Sequence, residues 1–484
     1  MRRVNNCKIT QVSPITDSAP KSKPSATKKP GAESPALTII GRAEHGISRQ
    51  QISPNSLKVL YALNDAGYQA FIVGGGVRDI LIGLKPKDFD IATDATPEQI
   101  KAIFRNSRII GRRFRIVHVH FGREIIEVST FRAITGENVE IVENRLSRHD
   151  NHLDSVHSSS GMILRDNVYG TIEEDVLRRD FTANALYYTV RNFAVHDYVN
   201  GMADVDLRCL RMIGDPEQRY REDPVRILRA IRLAAKLGFT IEPATAAPLR
   251  PYAQLLTSIP SARLFDEFMK LFFSGYGEKT FLLLQHYGVF GILFPGTAAA
   301  MLEDSGHYQR MLHSAFKNTD ARINAEKSVT PAFLLAIILW PALQKKQETL
   351  EKSGMPPAMA INDAAQAVLG HQLERISIPR RFSLPMREIW DMQLRLTQRR
   401  GKKAELLLSN KRFRAAYDFL LLREAAGEEL DGLGQWWTDY QLANPELQAQ
   451  MQTGLGASAS SHAKPRRRRV KSRHPPGSKP ASDI

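Results

Sequence analysis

The sequence predicts an α/β head, a mixed β-sheet with helices, followed by an all-α neck, body and C-terminal region. Segments with strand character, at 70–73, 88–93, 116–121 and 125–131, all fall in the first third of the chain and alternate with helix-start signals. Beyond Tyr198 the strand signals fade, and helical periodicity holds to about residue 443. Both ends are low in complexity and basic. With 484 residues and 43% hydrophobic content, the chain buries a large core and forms more than one domain. The expected division is a disordered basic arm (1–45), a head (46–200), a helical neck (201–270), a helical body (271–445) and a disordered basic tail (446–484).

The arm is rich in Ser, Pro, Lys, Ala and Thr, with too little apolar surface to repay ordering. Ser53 and Pro54 are placed as N-cap and first residue of a helix, and Thr96-Pro97-Glu98-Gln99 forms a capping box with proline at the first turn. Between them, the apolar run 70–73 reads as a buried strand, and Gly74-Gly75-Gly76-Val77-Arg78-Asp79 as a loop where backbone approaches something closely. A helix over 77–82 points its free N–H groups at that loop, an arrangement suited to phosphate. The strand 88–93 alternates, so Asp88 and Asp90 share a face. The strands 116–121 and 125–131 are joined by a tight turn at Gly122-Arg123. The polar stretch 138–161 reads as a mobile loop. Past it, a helix starts at Asp223-Pro224 and stops at Gly238, with Arg226, Arg229, Arg232 and Lys236 gathered on one side.

Two carboxylates side by side on a rigid strand, near a phosphate-cradling loop, suit a pair of Mg²⁺ ions held by Asp88 and Asp90. Alone, Asp-x-Asp is usually a solvated strand end and a glycine triplet usually a turn; the combination at this spacing carries the phosphoryl-transfer reading. A dinucleotide-binding loop is excluded by Asp79 standing where the third glycine belongs, and a P-loop by the lack of a following Gly-Lys-Ser/Thr. Net charge is +16, which favours a polyanionic partner. Two cysteines, Cys7 and Cys209, leave no disulfide framework or Cys-rich zinc site. The N-terminus shows no apolar segment after its charges, and no stretch approaches about 18 consecutive apolar residues, so a cytoplasmic setting is expected.

Gly74-Gly75-Gly76-Val77-Arg78-Asp79 with Asp88-Phe89-Asp90, then Arg178-Arg179-Asp180-Phe181-Thr182-Ala183-Asn184 and Arg221-Glu222-Asp223-Pro224-Val225-Arg226, resembles the class II nucleotidyltransferases. This branch holds bacterial poly(A) polymerases and tRNA CCA-adding enzymes. The resemblance implies a nucleotidyltransferase head, Mg²⁺ as cofactor, ATP as substrate and RNA 3′ ends as partner, with RNA-decay machinery or an RNA chaperone as further partners. Asp180 takes a catalytic or site-organising role by its motif. Glu127 is balanced between a solvated strand residue and a third acidic group beside Asp88 and Asp90. The resemblance places Arg179 and Asn184 near the sugar and phosphates, and Asp223 and Arg226 at the Watson–Crick edge of the base. Gly74, Gly75, Arg78, Arg229 and Arg232 complete the expected nucleotide-binding set. The run Gly111-Arg112-Arg113-Phe114 followed by His118-Val119 looks like the poly(A) polymerase signature, with Arg112 and Arg113 placed for RNA. His118 and His120 read as strand-face residues rather than metal ligands. Arg399, Arg400, Lys402 and Lys403, and Arg466, Arg467, Arg468 and Arg469 in the tail, are the further RNA-binding candidates; Phe413 and Tyr417 have the spacing of a core stripe.

The implied activity is template-independent addition of AMP from ATP to RNA 3′ ends. A CCA-adding enzyme and a non-catalytic RNA-binding protein are the alternatives. Because the tail is electrostatic and separate from the head, deleting residues 457–484 should weaken RNA binding and flatten the dependence of log affinity on log salt, while turnover at saturating RNA stays nearly unchanged. A salt titration of RNA affinity on both chains checks this; an unaltered slope would show that the tail does not touch RNA.

Overall fold

The computed structural model describes residues 36–111, 115–133, 156–157, 163–165 and 168–453. Its strands are β1 (Thr38–Ile40), β2 (Ala70–Val73), β3 (Asp90–Thr93), β4 (Ser107–Ile110), β5 (Ile116–Phe121), β6 (Glu124–Thr130), β7 (Val156–His157), β8 (Ile163–Arg165), β9 (Leu186–Tyr188), β10 (Val195–Asp197), β11 (Cys209–Leu210) and β12 (Thr240–Ile241). Eight of them form one mixed sheet in the order β1-β10-β9-β2-β3-β6-β5-β4. Within it β3 and β6 run parallel, and the other neighbours are antiparallel.

Both faces of the sheet centre are covered, which is why 70–73 reads as an unbroken apolar run. Ala70 and Ile72 join Ile91 in a core with Val59, Leu60 and Leu63 of the helix Pro54–Asp65. Phe71 and Val73 turn the other way, packing with Ala92, Tyr187 and with Ile172 and Val176 of the helix Ile172–Leu177. Ser53 accepts from the backbone N–H of Ser56, and the box at Thr96 and Gln99 closes in both directions, as expected.

Four features differ from expectation. Residues 38–45 are folded, β1 pairing with β10 and followed by the helix Arg42–His45, so the arm cannot extend to residue 45. A three-residue strand with two exposed side chains has no pattern of its own; its partner, some 155 residues away, specifies it. The same brevity hid β4, β9 and β10. The predicted loop contains β7, paired with β8, and the rest of 138–161 lies outside the described residues. At the other end the helix Pro445–Thr453 occupies the start of the expected tail. The arginines 112, 113 and 466–469 lie outside the described residues.

The helical part packs on the neck helix Val225–Leu237, which ends at Gly238 in the left-handed conformation. Its Ile227, Leu228 and Ile231 are fully buried, and the helix Gly277–His286 lies across it. An aromatic cluster fills the body: the Phe316 ring stacks on Phe272 at 4.6 Å and sits 4.8 Å from Phe281. A second core, with Phe413, Tyr417 and Trp437, closes the C-terminal helices, so the Phe413 and Tyr417 rings are core residues as their spacing indicates. Among the described residues no helix is long and apolar enough to cross a membrane.

Phe316 is fully buried, whereas Leu302 is 88% exposed. Phe316→Ala should destabilise the body by about 3–5 kcal/mol, and Leu302→Ala by less than about 0.5 kcal/mol, in urea titrations followed by circular dichroism. Equal midpoints for the two variants would contradict the placement of the aromatic cluster.

Candidate active site

The two halves of the site meet because β2 and β3 are antiparallel neighbours, Val73 lying opposite Asp90. The glycine loop therefore leaves the sheet at the end where the acidic pair enters it. Gly74 has φ +77°, and a Cβ built on Gly76 would stand 3.0 Å from the Phe89 ring. Phe89 is buried beneath that glycine, and the alternation about it turns Asp88 and Asp90 outward, both exposed. The strand begins at Asp90, so Asp88 stands just before it rather than within it. The helix Gly75–Leu81 follows at once from Gly74, two residues sooner than the pattern indicates.

Glu127 is the register partner of Asp90 on β6. Its carboxylate is 3.4 Å from His118 Nε2 on β5, which makes His118 a strand-face neighbour of the acid. Asp90 is pushed up to about 6, first by loss of hydration and then by Glu127, with Asp88 adding to the effect and Arg179 opposing it. Among the described residues no three His, Cys, Asp or Glu side chains converge as a metal cluster. The donor set is thus the pair Asp88 and Asp90, with Glu127 alongside. Hard oxygen donors, and a carboxyl group held neutral to higher pH first by loss of hydration and then by its acidic neighbours, fit a hard divalent cation.

Across from the acids stands an arginine wall. Asp180 is held by two neck arginines, Arg226 Nε donating to Oδ1 at 3.0 Å and Arg229 Nε forming an ion pair with Oδ2 at 2.5 Å. Burial alone would raise this carboxyl; Arg229 and Arg226 outweigh it and hold it below the ordinary value. Arg226 Nη1 donates to Glu222 at 2.9 Å and to the Arg219 carbonyl at 2.7 Å. Arg219 in turn donates to Glu222 at 2.9 Å and to the carbonyl oxygens of Arg178 and Arg179 at 2.7 Å each. Arg178 is lowered to about 9, by burial first and then by Arg132, Arg179, Arg219 and Arg226. Burial and cationic neighbours also lower Arg219 and Arg232. Among the described residues, five arginines (178, 179, 219, 226, 229) share three carboxylates (Asp175, Asp180, Glu222), a positive balance suited to a polyanion.

The structure thus brings Arg179, Asp180, Arg226 and Arg229 together and gives several of them defined roles. Asp180 is enclosed by the neck arginines, which makes it an organiser of the wall. Arg78 is turned inward, donating to Asp79 at 2.6 Å and to the side-chain oxygen Oδ1 of Asn184, and Asp79 is 3.5 Å from Lys236 of the neck. Asp223 accepts from Arg263 at 2.8 Å. Sequence reasoning missed Arg219, Glu222, Arg263, Asp175 and Tyr187. Glu222 was legible as the residue four before Arg226; Arg263 was not, being 40 residues from its partner. In the C-terminal helices, Arg399 lies over the Trp436 ring at 5.5 Å, and Lys402 and Lys403 open an exposed helix start.

Comparison with known proteins agrees along most of the chain. The family model "Poly A polymerase head domain" matches residues 70–211, "Probable RNA and SrmB- binding site of polymerase A" matches 238–301, and "Polymerase A arginine-rich C-terminus" matches 353–473. Poly(A) polymerase I of Escherichia coli O6:H1 is 47% identical over 439 residues, covering 90% of this chain and 92% of the relative. Poly(A) polymerase I of Haemophilus influenzae is 42% identical, covering 89% and 93%. A CCA-adding enzyme of Lactobacillus gasseri is 35% identical over 234 residues, 48% of this chain and 54% of that protein. Among solved structures, the Thermotoga maritima CCA-adding enzyme complexed with tRNA superposes with a TM-score of 0.53 at 18% identity, covering 85% of this chain and 89% of the other. That likeness concerns the fold. The acidic hairpin, the arginine wall and similarity over nine-tenths of the chain lead to one conclusion: this chain belongs to the poly(A) polymerase family of nucleotidyltransferases.

Proposed function

We propose that the head adds AMP from ATP to RNA 3′ ends without a template and releases pyrophosphate, working in the cytoplasm and supplying tailed RNA to decay machinery. The observation that carries this reading is the excess of arginine charge facing the acidic hairpin, a complement to a triphosphate and its counter-ions. Asp88 and Asp90, with Glu127 beside them, are the residues that would hold Mg²⁺, which when bound neutralises phosphate charge and lowers the pKa of the attacking hydroxyl. In the transfer the RNA 3′-oxygen bonds to the α-phosphorus as the bond to the β-phosphate oxygen breaks, and the hydroxyl proton leaves to solvent. Arg178 and Arg179 bind phosphate oxygens and offset the charge that grows on the leaving pyrophosphate. Asp180 keeps Arg226 and Arg229 on that side. Asp223, oriented by Arg263, accepts a hydrogen bond from an amino group of the incoming base, with Arg226 as the paired donor. Gly74 and Gly75 allow the phosphates to approach backbone.

The rival reading, CCA addition, is favoured by no comparable observation, since similarity to the CCA-adding enzyme spans about half the chain. One assay separates them. Purified protein with each nucleotide and an unstructured RNA oligonucleotide should extend the RNA by many A residues and little else. Extension of a truncated tRNA by only two C residues and one A would support CCA addition, and no incorporation would leave an RNA-binding protein.

The acidic pair yields a further expectation. Asp90→Asn should lower AMP incorporation by at least about 10²-fold, by analogy with removal of a transition-state charge partner. Because Asp90 reaches solvent, screening discounts the effect of its raised carboxyl on stability, and in EDTA at pH 8 the same variant should melt higher than wild type by no more than about 1 °C. The folded carboxyl is raised from 3.8 to about 6, so the folded state binds the proton more tightly. Wild-type stability therefore falls as pH rises through that window, and the variant's advantage should be full above it and vanish below it. Melting curves from pH 4 to 8 check the sign.

A further inference from the structure

Asp175 has no contact with nucleotide in the reading above, yet its buried carboxylate lies directly behind the arginine pair. It stands on the helix Ile172–Leu177, one turn before Arg179. Its Oδ2 accepts from Arg179 Nη2 at 2.8 Å, from Arg179 Nε at 3.2 Å and from the Tyr187 hydroxyl at 2.6 Å. Arg179 Nε also donates to that hydroxyl at 2.6 Å. Oδ1 reaches the Arg132 backbone N–H at 3.4 Å and Arg178 Nη1 at 3.9 Å. We propose that Asp175, together with the Tyr187 hydroxyl, is a positioning residue that aims Arg179 at the phosphates of the bound nucleotide.

The geometry of the guanidinium makes the argument. Its plane is rigid, so fixing one edge fixes the other. Asp175 and Tyr187 hold the Nε and Nη2 edge, and Nη1 is left facing the glycine loop, 3.8 Å from where a Cβ on Gly74 would stand. Tyr187 is fully buried on β9, beside β2, so the hydroxyl that completes the clamp is itself fixed by the sheet. Asp175 is 6% exposed and cannot exchange this role for solvation. A counter-charge role and a positioning role make opposite predictions. Removing one negative charge beside a cationic wall, with nothing else altered, tightens binding of a polyanion; releasing the orientation of Arg179 weakens it.

The inference rests on the reading that the head binds ATP, and the wild-type chain tests that reading first. ATP should bind at least tenfold more tightly than AMP in titration calorimetry with Mg²⁺; equal affinities would remove the functional reading before any variant is measured. Given that difference, Asp175→Asn, measured well below its own melting temperature, should weaken ATP binding by about tenfold and AMP binding by less than about twofold. Tyr187→Phe should show the same selectivity at about threefold, and it carries the test alone if the first variant does not fold. Tighter ATP binding in Asp175→Asn would establish a counter-charge and overturn the proposal. Equal losses for ATP and AMP, or no loss, would overturn it as well.

Discussion

The molecule depends on one carboxylate shared between two cations. Asp180 follows Arg179 in the head and receives Arg226 and Arg229 from the neck. From Arg226 the bonds run through Glu222 and Arg219 back to the carbonyls of Arg178 and Arg179, so the chain of contacts closes on the motif where it began. Breaking such a buried pair by removing one partner leaves an uncompensated charge, which costs more than the pair itself contributes. The closed arrangement fixes the start of the neck helix against the head through polar bonds, while Ile227, Leu228 and Ile231 fix its other face through burial.

The same arrangement keeps two opposite charge excesses apart. On the sheet, loss of hydration and then the neighbouring Glu127 and Asp88 let Asp90 hold its proton to about pH 6. On the neck side, burial and then the neighbouring arginines lower Arg178 to about 9. Each excess is a cost to the folded state, and each would complement half of the metal–triphosphate ligand proposed above. A fold assembled for stability alone would have interleaved these charges.

The local half of this design was legible in the sequence, and the distant half was not. Gly74 to Asp90 could be read because strand, loop and strand are contiguous and each announces its geometry through glycine or alternation. The capping residues Ser53 and Thr96 were legible for the same reason. Strands β1, β9 and β10 were not, since three residues carry no period and pairing across the sheet decides them. Arg78 reads from its loop as a phosphate ligand, but Asp79 and Asn184 claim it. Asp180 reads as an acid near the nucleotide, yet only the neck helix shows that its partners are cations. Family resemblance supplied the expected role of Asp223, while its contact with Arg263 required the fold.

The order of strands in the sheet also bears on how the chain is made. Within this sheet β1 precedes the other strands in sequence, but its partner β10 ends at Asp197, so that edge of the sheet stays open until nearly the whole head has been synthesised. β9, which must enter between β10 and β2, arrives equally late. The acidic hairpin closes locally from residues 70–93, whereas its arginine counterpart reaches from 178 to 229. During synthesis, then, Asp88 and Asp90 emerge well before Arg178 and Arg179, and the neck arginines that hold Asp180 emerge last of all.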